Sequence, residues 1–368
     1  MEPQDQPRAP LPVVVVVVTH DAPADRLDPL LRALAGQDYP NLDVLVVDTG
    51  EGDVGDRVAA VLPQAVVHRP PDDPGSFGAA ANMALDLVSG AAFFVFSHDD
   101  VVPDRRAVSA LVEAAEVSQA DIVGPKLVTW DDPRRFAQFG LAVDRVGAGL
   151  PLVERRELDQ GQHDGMRHVF TVPGAFTLVR VARFAEVGGF DEAMTFLGDD
   201  LSLSWRVRLA GGRVMVTSGA RVRHAEAFAD RPEGRQAATL AARHRLRVLL
   251  TSYRWSSLLV ILPQAFAHSL ADAIGGLVTG SPGRARAALG AWVWNLWHVR
   301  SLLGARRTVA GFRRVSDRDV RRHQVRGLVG PRLRLLRVEG ESGDEPGGHA
   351  TPAGRALAVP VRGHMDVD

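Results

Sequence analysis

Residues 13–21 read VVVVVVTHD, a run of six β-branched valines followed by three polar residues. An apolar run this short is typical of a strand that is buried on both faces of a parallel sheet. The chain then repeats the scheme, because short apolar runs at 43–47, 65–68, 92–96 and 121–124 alternate with amphipathic segments. That order predicts an α/β domain with a mostly parallel, Rossmann-like sheet and helices on both of its faces.

The amphipathic segments and the later apolar runs complete this prediction. Helices are predicted at 25–36, 55–62, 78–89, 103–118, 181–187 and 199–210. Further strands are predicted at 176–179, 213–216 and 220–223, and the mixed composition of residues 127–170 indicates hairpins or loops. Beyond this domain the pattern is helical and rich in arginine.

Composition excludes some classes of protein and divides the chain. None of the 368 residues is cysteine, which excludes a disulfide framework, thiol catalysis and a thiolate metal site. The net charge of −1 hides a strong asymmetry, because residues 231–338 carry 20 arginines against four acids. We predict a disordered lead at 1–10, an α/β domain at 11–230, a basic helical region at 231–338 and a disordered tail at 339–368.

The basic region suggests an anionic partner. Trp292, Trp294 and Trp297 lie in a segment bordered by arginines, a composition that suits a helix on the surface of an anionic membrane. The alternative is that these helices pack on the preceding domain or on each other. Nucleic acid is not expected, because no recognition motif accompanies the charge. With no secretory signal and no uninterrupted apolar span, we expect a cytoplasmic protein at the inner face of the cell membrane.

Carboxylates cluster where predicted strands end. Asp21 and Asp48 follow the first and second strands, the sequence His98-Asp99-Asp100 follows the fourth, and Asp199-Asp200 opens a helix. Ligands of open α/β sheets bind outside the carboxyl ends of the strands. A hard divalent cation prefers oxygen ligands, which suits Asp100. Each residue alone also fits an ordinary turn or helix cap, and His224 alone fits a structural histidine.

Six segments, taken in order, resemble the family 2 inverting glycosyltransferases of the GT-A fold. They are VVVVVVTHD at 13–21, LAGQDYPNLDVLVVD at 34–48, PGSFGAAAN at 74–82, SHDDVVP at 97–103, the block VPGAF, GGFD and GDDLSLSWR at 172–206, and ARVRH at 220–224. The resemblance implies transfer of a sugar from a nucleoside-diphosphate sugar to a hydroxyl of a glycan or lipid-linked acceptor. Many such relatives build cell-wall polysaccharide, so a role in cell-wall biogenesis is implied as well.

The resemblance also implies roles for individual residues. Asp48 would bind the nucleotide base, and Asp100 would bind Mg²⁺ or Mn²⁺ on the donor diphosphate, with His224 as a further metal or phosphate contact. Asp200 would be the general base, and repulsion from neighbouring Asp199 would raise its pKa. The other residues expected around the donor or acceptor are Thr19, His20, Asp21, Gly78, Asn82, His98, Asp99, Gly174, Ala175 and Trp205.

Some positions depart from the family pattern. His98 replaces the first carboxylate of the metal motif, Asp199 replaces a glutamate, and Ser202 replaces an aspartate. The Gln-x-x-Arg-Trp motif of processive synthases is absent, which favours a non-processive enzyme. The alternative is a catalytically impaired nucleotide-sugar-binding or scaffolding module of a larger membrane protein.

Overall fold

The fold is that of a computed structural model, which describes residues 9–227, 236–325 and 327. The predicted tail at 339–368 and most of the predicted lead at 1–10 lie outside these residues. The strands are β1 (Val13–Thr19), β2 (Leu42–Asp48), β3 (Val66–His68), β4 (Phe93–Ser97), β5 (Val101–Pro103), β6 (Ile122–Thr129), β7 (Phe136–Gln138), β8 (Leu141–Val143), β9 (Gly149–Pro151), β10 (Met166–His168), β11 (Phe176–Arg180) and β12 (Val214–His224).

Helices connect the strands and form most of the chain after β12. They are α1 (Ala24–Ala35), α2 (Val54–Val61), α3 (Phe77–Asn82), α4 (Ala84–Leu87), α5 (Ala107–Ser118), α6 (Val181–Glu186), α7 (Asp199–Leu209), α8 (Ala237–Ser252), α9 (Trp255–Val278), α10 (Pro282–Trp297), α11 (Val299–Phe312) and α12 (Asp317–Arg322).

The predicted parallel sheet is present around β1. This strand lies between β2 and β4 and is parallel to both, and β3 extends the sheet beyond β2. Val14 and Val16 face one hydrophobic core, whereas Val13, Val15 and Val17 face the other. Helices α1, α2 and α5 cover the second core, and α3, α4, α6 and α7 cover the first. The six valines are therefore buried from both sides, as a central parallel strand requires.

The other half of the sheet is mixed. Strand β11 is antiparallel to both of its neighbours, β4 and β6, while β12 runs parallel to β6 and antiparallel to β5 and β10. The strands predicted at 213–216 and 220–223 are one strand, β12, with an irregularity in register between Thr217 and Arg221. The two runs were predicted separately because a bulge interrupts the alternation of side chains.

Two predicted helices differ in extent. The helix predicted from Pro103 begins at Ala107, because residues 101–103 pair with β12 as β5. The helix predicted at 78–89 is divided at Met83 into α3 and α4. In both regions, tertiary contacts override the local pattern.

The arginine-rich helices pack against the domain that carries the sheet. Leu258 and Ile261 of α9 and Phe312 of α11 belong to the same hydrophobic core as Val14, Val16 and other residues of the sheet. Helix α9 continues through Pro263, and among the described residues it alone has the length and apolar composition of a membrane span, with a mean hydropathy of 1.4.

Candidate active site

The predicted site residues follow strands that end at one edge of the sheet. Thr19 at the end of β1 pairs with Asp48 at the end of β2, and Val17 pairs with Ser97 at the end of β4. Ser97 also pairs with Phe176, the first residue of antiparallel β11. The segments that follow β1, β2 and β4 and the segment that precedes β11 therefore share this edge.

Asp48 is fully buried and forms an ion pair with Arg69. One of its carboxylate oxygens accepts a hydrogen bond from the backbone N–H of Gly50 at 3.1 Å. The other accepts hydrogen bonds from Arg69, whose Nε lies 3.1 Å away and whose Nη2 is also bonded to it. Arg69 also donates to the carbonyl of Gly52 at 2.8 Å. The carboxylate is thus fixed at the strand end beside a half-exposed cation.

The turn after β1 lies beside Asp48. Thr19 is buried, and its hydroxyl has no hydrogen-bond partner among the described residues. The Nδ1 atom of exposed His20 lies 3.1 Å from the carbonyl oxygen of Thr49. Asp21 has a φ of +48° and accepts a hydrogen bond from the N–H of Gly52 at 2.9 Å. This left-handed conformation is one that aspartate tolerates better than most residues, and it turns the chain over the end of β2.

A cluster of two histidines and one aspartate forms the centre of this edge. His98, Asp100 and His224 each offer a ligand atom, and these atoms all lie within 4.8 Å of one another. Asp100 Oδ1 lies 3.4 Å from His224 Nε2 and 3.9 Å from His98 Nδ1. The cluster forms because antiparallel pairing of β5 with β12 places His224 opposite Val101. Asp99, between His98 and Asp100, is also buried.

The surroundings of Asp100 favour its ionised form. Burial opposes ionisation, but the adjacent imidazoles of His224 and then His98 outweigh it and hold the pKa of Asp100 below its usual range. The backbone N–H of Ala227 also donates to Oδ2 at 2.8 Å. Oδ1 of Asp100 and Nδ1 of His224 are buried without a hydrogen-bond partner among the described residues.

These three residues fit a divalent metal ion. Buried lone pairs without a proton donor are suited to metal coordination, and a carboxylate with two imidazoles is a common donor set for transition metals. A cluster of this kind is also less suited to Mg²⁺, which prefers oxygen ligands.

Two adjacent carboxylates open α7. Gly198, with a φ of +95°, occupies the N-cap position, so neither Asp199 nor Asp200 is the N-cap residue. Burial raises the pKa of Asp200 to about 6, although the N–H of Leu201 donates to its Oδ1 at 2.7 Å. Burial and then the charges of Asp200 and Asp191 raise the pKa of Asp199 well above its usual value. The predicted repulsion thus acts mainly on Asp199, whereas burial acts on Asp200.

The loop before β11 connects the two clusters. The N–H of His98 donates to the carbonyl of Ala175 at 2.9 Å, so the loop is bonded to a residue of the His98–Asp100–His224 cluster. The preceding residue, Gly174, packs against Asp200, because a Cβ added to this glycine would lie 3.8 Å from the Asp200 Cβ. Asp200 and the segment that carries His98 and Asp100 therefore contact neighbouring residues of the same loop.

Comparison with known proteins identifies the family. The sequence profile described as "Glycosyltransferase like family 2" matches residues 9–248, which is more than half of the chain. The chain belongs to glycosyltransferase family 2.

Curated relatives and a solved structure agree with this assignment. The O-antigen biosynthesis protein RfbC of Myxococcus xanthus is 28% identical over 232 residues, which are 60% of this chain and 18% of RfbC. The pre-mycofactocin glycosyltransferase of Mycobacterium tuberculosis is 29% identical over 216 residues, which are 57% of this chain and 42% of that protein. The matches thus span less than half the length of either relative.

The solved structure supports the fold. The crystal structure of GalNAc-T7 with UDP, GalNAc and Mn²⁺ matches with a TM-score of 0.52 and 13% identity, over 66% of this chain and 48% of that one. The predicted GT-A fold, followed by an arginine-rich helical region, is confirmed.

Three residues expected to bind donor or acceptor in this family 2 glycosyltransferase make structural contacts. Asn82 accepts a hydrogen bond from the N–H of Phe190 at 2.7 Å and donates to its carbonyl at 3.1 Å. A Cβ on Gly78 would lie 2.9 Å from the Cβ of Phe190, so the glycine allows close packing there. Trp205 is fully buried, with its ring centroid 5.0 Å from that of Phe170. The contact of Trp205 with the acceptor stays a prediction, and the burial of its indole in the core speaks against it.

Two arginines of the glycosyltransferase that contact site residues were not predicted from the sequence. Arg69 follows β3, and the register that pairs Val47 with His68 places Arg69 beside Asp48. The sequence signal for this pair is an arginine directly after one strand and an aspartate at the end of the neighbouring strand. Arg247 of α8 donates to both carboxylate oxygens of Asp191, at 2.8 and 3.0 Å, and is almost fully buried. Nothing in the local sequence distinguishes it from the many other arginines of the helical region.

Proposed function

We propose that this family 2 glycosyltransferase is a metal-dependent, inverting, non-processive enzyme. It transfers a sugar from a nucleoside-diphosphate sugar to a hydroxyl of a glycan or lipid-linked acceptor. The observation that carries the proposal is the packing of Gly174 and Ala175 between Asp200 and the His98–Asp100–His224 cluster. This arrangement puts a carboxylate able to accept a proton beside a site able to hold the metal of a donor diphosphate.

The donor nucleotide would lie over the ends of β1 and β2. Asp48 would accept hydrogen bonds from the base, and Thr19, His20 and Asp21 would line the same pocket. Arg69, half-exposed beside Asp48, adds a cation that can approach the anionic donor. Binding of the donor at this edge follows the general rule for ligands of open α/β sheets.

The metal would be held by Asp100, His224 and His98, with Asp99 close to the ribose or phosphate. When bound, the metal supplies a Lewis acid that offsets the negative charge of the departing diphosphate. With two imidazoles in the set, we propose Mn²⁺ rather than Mg²⁺ as the preferred ion. His98 then serves as a ligand in place of the carboxylate that it replaces, so its presence is compatible with activity.

Asp200 would be the general base. A carboxylate with a pKa of about 6 is largely ionised at neutral pH, and it is a better proton acceptor than an ordinary aspartate. Burial and the charges of Asp200 and Asp191 raise the pKa of Asp199, which favours its neutral form beside an ionised Asp200. Attack of the acceptor hydroxyl on the face opposite the leaving group inverts the anomeric carbon.

The biological setting is proposed from the relatives. One is named as an O-antigen biosynthesis protein, which supports a role in cell-envelope polysaccharide synthesis. Synthesis of that kind from nucleotide sugars would place the enzyme in the cytoplasm, at the inner face of the membrane.

Substitution of the base tests the enzymatic proposal. The Asp200→Asn protein should lose about 10²–10⁴-fold in turnover, since that is the usual contribution of a general base, while its affinity for nucleoside diphosphate and Mn²⁺ stays unchanged. Asp43→Asn, at an exposed aspartate of β2, is the matched control and should retain activity. Product formation is followed by mass spectrometry over a panel of nucleotide sugars with and without Mn²⁺.

Two results would contradict the proposal. Normal turnover by Asp200→Asn would remove this residue from the base role. A wild-type protein that binds nucleotide sugars but neither transfers nor hydrolyses any of them would instead favour the binding or scaffolding module.

A further inference from the structure

A second concave site lies among the arginine-rich helices. It is formed by the end of α8, the start of α9 and one side of α11, and its volume is about 640 Å³. We call it the basic pocket, because four of its eleven lining residues are arginine and none is acidic. It shares no residue with the site around Asp100 and Asp200. The lining residues are Thr251, Tyr253, Arg254, Trp255, Ser256, Leu303, Arg306, Arg307, Val309, Ala310 and Arg313.

Two of the arginines are held in place by the protein. Arg306 donates to the carbonyl oxygens of Leu250 and, at 3.0 Å, Tyr253, and it lies 3.9 Å from the centroid of the Trp255 ring. Arg313 donates to Asp317 at 2.7 Å. Burial and then the positive charge of Arg313 lower the pKa of Arg306.

The other two arginines are exposed. Arg254 and Arg307 lie at the surface, and the nearby acid Asp317 is already engaged by Arg313 and by the backbone N–H of Arg254 at 2.9 Å. The α9 helix also begins at this pocket, and no side chain of the described residues caps the N–H groups of its first turn. Planar guanidinium groups together with free N–H groups suit the oxygens of a phosphate.

The solvent-facing side of α9 is apolar. It starts at Trp255, which also lines the basic pocket, and it contains no charged residue. His268 and Ser269 are buried against the protein, and Gln264 and Asp272 are partly buried. We call this surface the apolar face of α9; its exposed residues are Trp255, Ser256, Leu259, Val260, Pro263, Phe266, Ala267, Leu270, Ala271, Ile274, Leu277 and Val278.

Exposed apolar residues continue on the next two helices. Leu296 and Trp297 at the end of α10 are 71% and 82% exposed, and Leu303 of α11 belongs to the wall of the basic pocket. An exposed apolar surface on this scale marks an interaction site. A basic pocket that shares Trp255 and Leu303 with an apolar surface matches a molecule with an anionic head and an apolar chain.

We propose that the basic pocket binds the phosphate of an anionic membrane lipid while the apolar face of α9 lies in the bilayer. Tryptophan at the boundary between the two parts suits the interface between headgroups and acyl chains. The uncharged surface argues against nucleic acid, which would require cations along the whole contact. The inference goes beyond the proposed transferase reaction and needs neither donor nor metal.

Vesicle binding by the full chain tests the pocket. Wild-type protein should bind vesicles of phosphatidylcholine with phosphatidylglycerol, and bind vesicles of phosphatidylcholine alone at least ten-fold more weakly. The Arg254→Gln/Arg307→Gln protein should bind the anionic vesicles about 30-fold more weakly than wild type, because each basic residue near an anionic leaflet contributes roughly five-fold. The matched control is Arg32→Gln/Arg105→Gln, which removes two exposed arginines from the α/β domain and should bind normally.

A second pair of variants tests the apolar face. Leu259→Ser/Leu277→Ser should bind anionic vesicles at least ten-fold more weakly, while Val66→Ser/Val117→Ser, at exposed valines of the α/β domain, should match wild type. All these substitutions are at exposed positions, and unchanged melting temperatures check that the variants are folded.

Three outcomes would overturn the inference. They are equal binding of wild type to both kinds of vesicle, normal binding by the two pocket substitutions, and binding of inorganic pyrophosphate at the pocket without any binding of vesicles. The last would show a site for soluble phosphate instead. Since no sugar donor is added, failure here is distinct from failure of the transferase proposal.

Discussion

At the scale of single residues, the two aspartates of α7 differ although they are adjacent. Asp200 contacts Gly174 and receives the N–H of Leu201, whereas Asp199 faces the charges of Asp200 and Asp191. The sequence predicts that repulsion from Asp199 raises the pKa of Asp200. In the structure burial raises the pKa of both residues, and they differ because the charges of Asp200 and Asp191 add to the effect on Asp199.

The pKa of Asp200 predicts the acid limb of the rate profile. A general base must be ionised, so kcat/KM should rise with pH and level off above a midpoint of about 6. Initial rates between pH 4.5 and 8.5, at saturating Mn²⁺, measure this midpoint. A midpoint near 4, the ordinary value for aspartate, would contradict the burial of Asp200 in the working enzyme.

The same pKa predicts a gain in stability when the charge is removed. Because the folded-state pKa is raised, the ionised carboxylate costs free energy of folding, and this cost grows as pH rises from about 4 to about 6. Asp200→Asn should therefore be more stable than wild type at pH 7.5, by about 1–3 kcal/mol, with the difference vanishing near pH 3.5. Urea unfolding at the two pH values measures it, and Asp43→Asn should show no comparable gain.

Trp205 supplies a prediction that separates packing from binding. Trp205→Phe leaves a cavity between Phe170 and Tyr253 and should lower the free energy of unfolding by about 1–3 kcal/mol. The KM for the acceptor should not change, since the indole is buried. A large rise in that KM without loss of stability would restore the acceptor role that the family resemblance implies.

At the scale of elements, α8 holds the segment that leads into α7. Arg247 pairs with Asp191, and His244 Nδ1 lies 2.7 Å from the carbonyl oxygen of Leu197, just before Gly198 and Asp199. Gly198 packs tightly against His244, because an added Cβ would lie 3.1 Å from the histidine Cβ. A helix outside the sheet thus positions the start of α7 and its two carboxylates.

Removal of Arg247 should damage this connection. Arg247→Met leaves Asp191 buried without its partner, which should cost about 3–5 kcal/mol of folding free energy. The double variant Asp191→Asn/Arg247→Met should recover part of that loss, because no unpaired charge remains. Denaturant unfolding is the measurement, with Arg300→Met at an exposed position of α11 as control. Equal stabilities of the two Arg247 variants would show that the ion pair is of little importance.

Elements formed by local patterns were predictable, and those formed by pairing were not. The valine run of β1 and the leucine spacing of α1 predicted both elements to within a residue or two. Strand β5 was missed because its three residues precede a helix-like segment, and only pairing with β12 makes them a strand. The aspartates and histidines of the candidate site were predicted because they follow strands, where ligands of such sheets bind. The hydrogen bond from the N–H of Ala227 to Asp100 has no signal in the sequence.

At the scale of the whole molecule, the core does not stop at residue 230, the predicted end of the α/β domain. Tyr253, Leu258 and Phe312 share a hydrophobic core with Val14 and Trp205. The domain boundary at residue 230 remains a prediction that was made from composition and charge. In packing, the helices after β12 complete the cover of one face of the sheet.

Truncation tests this shared core. A protein of residues 9–230 exposes the core residues that α8, α9 and α11 normally cover, so it should lack a cooperative thermal transition, whereas residues 9–327 should retain one. Near-ultraviolet circular dichroism during a thermal scan distinguishes the two. A sharp transition in the shorter protein would establish the α/β domain as an independent folding unit.

The apolar face of α9 also affects how the protein behaves once it is purified. Leu259, Val260 and Leu277 are among its exposed apolar residues, so in plain aqueous buffer several molecules lower their free energy by covering one another's apolar side chains. A mild detergent below the concentration that unfolds the sheet would compete for those contacts and keep single molecules in solution. Preparations without detergent would contain more aggregated protein. A low yield of monomer would then result from the exposed apolar face of α9 and not from poor folding.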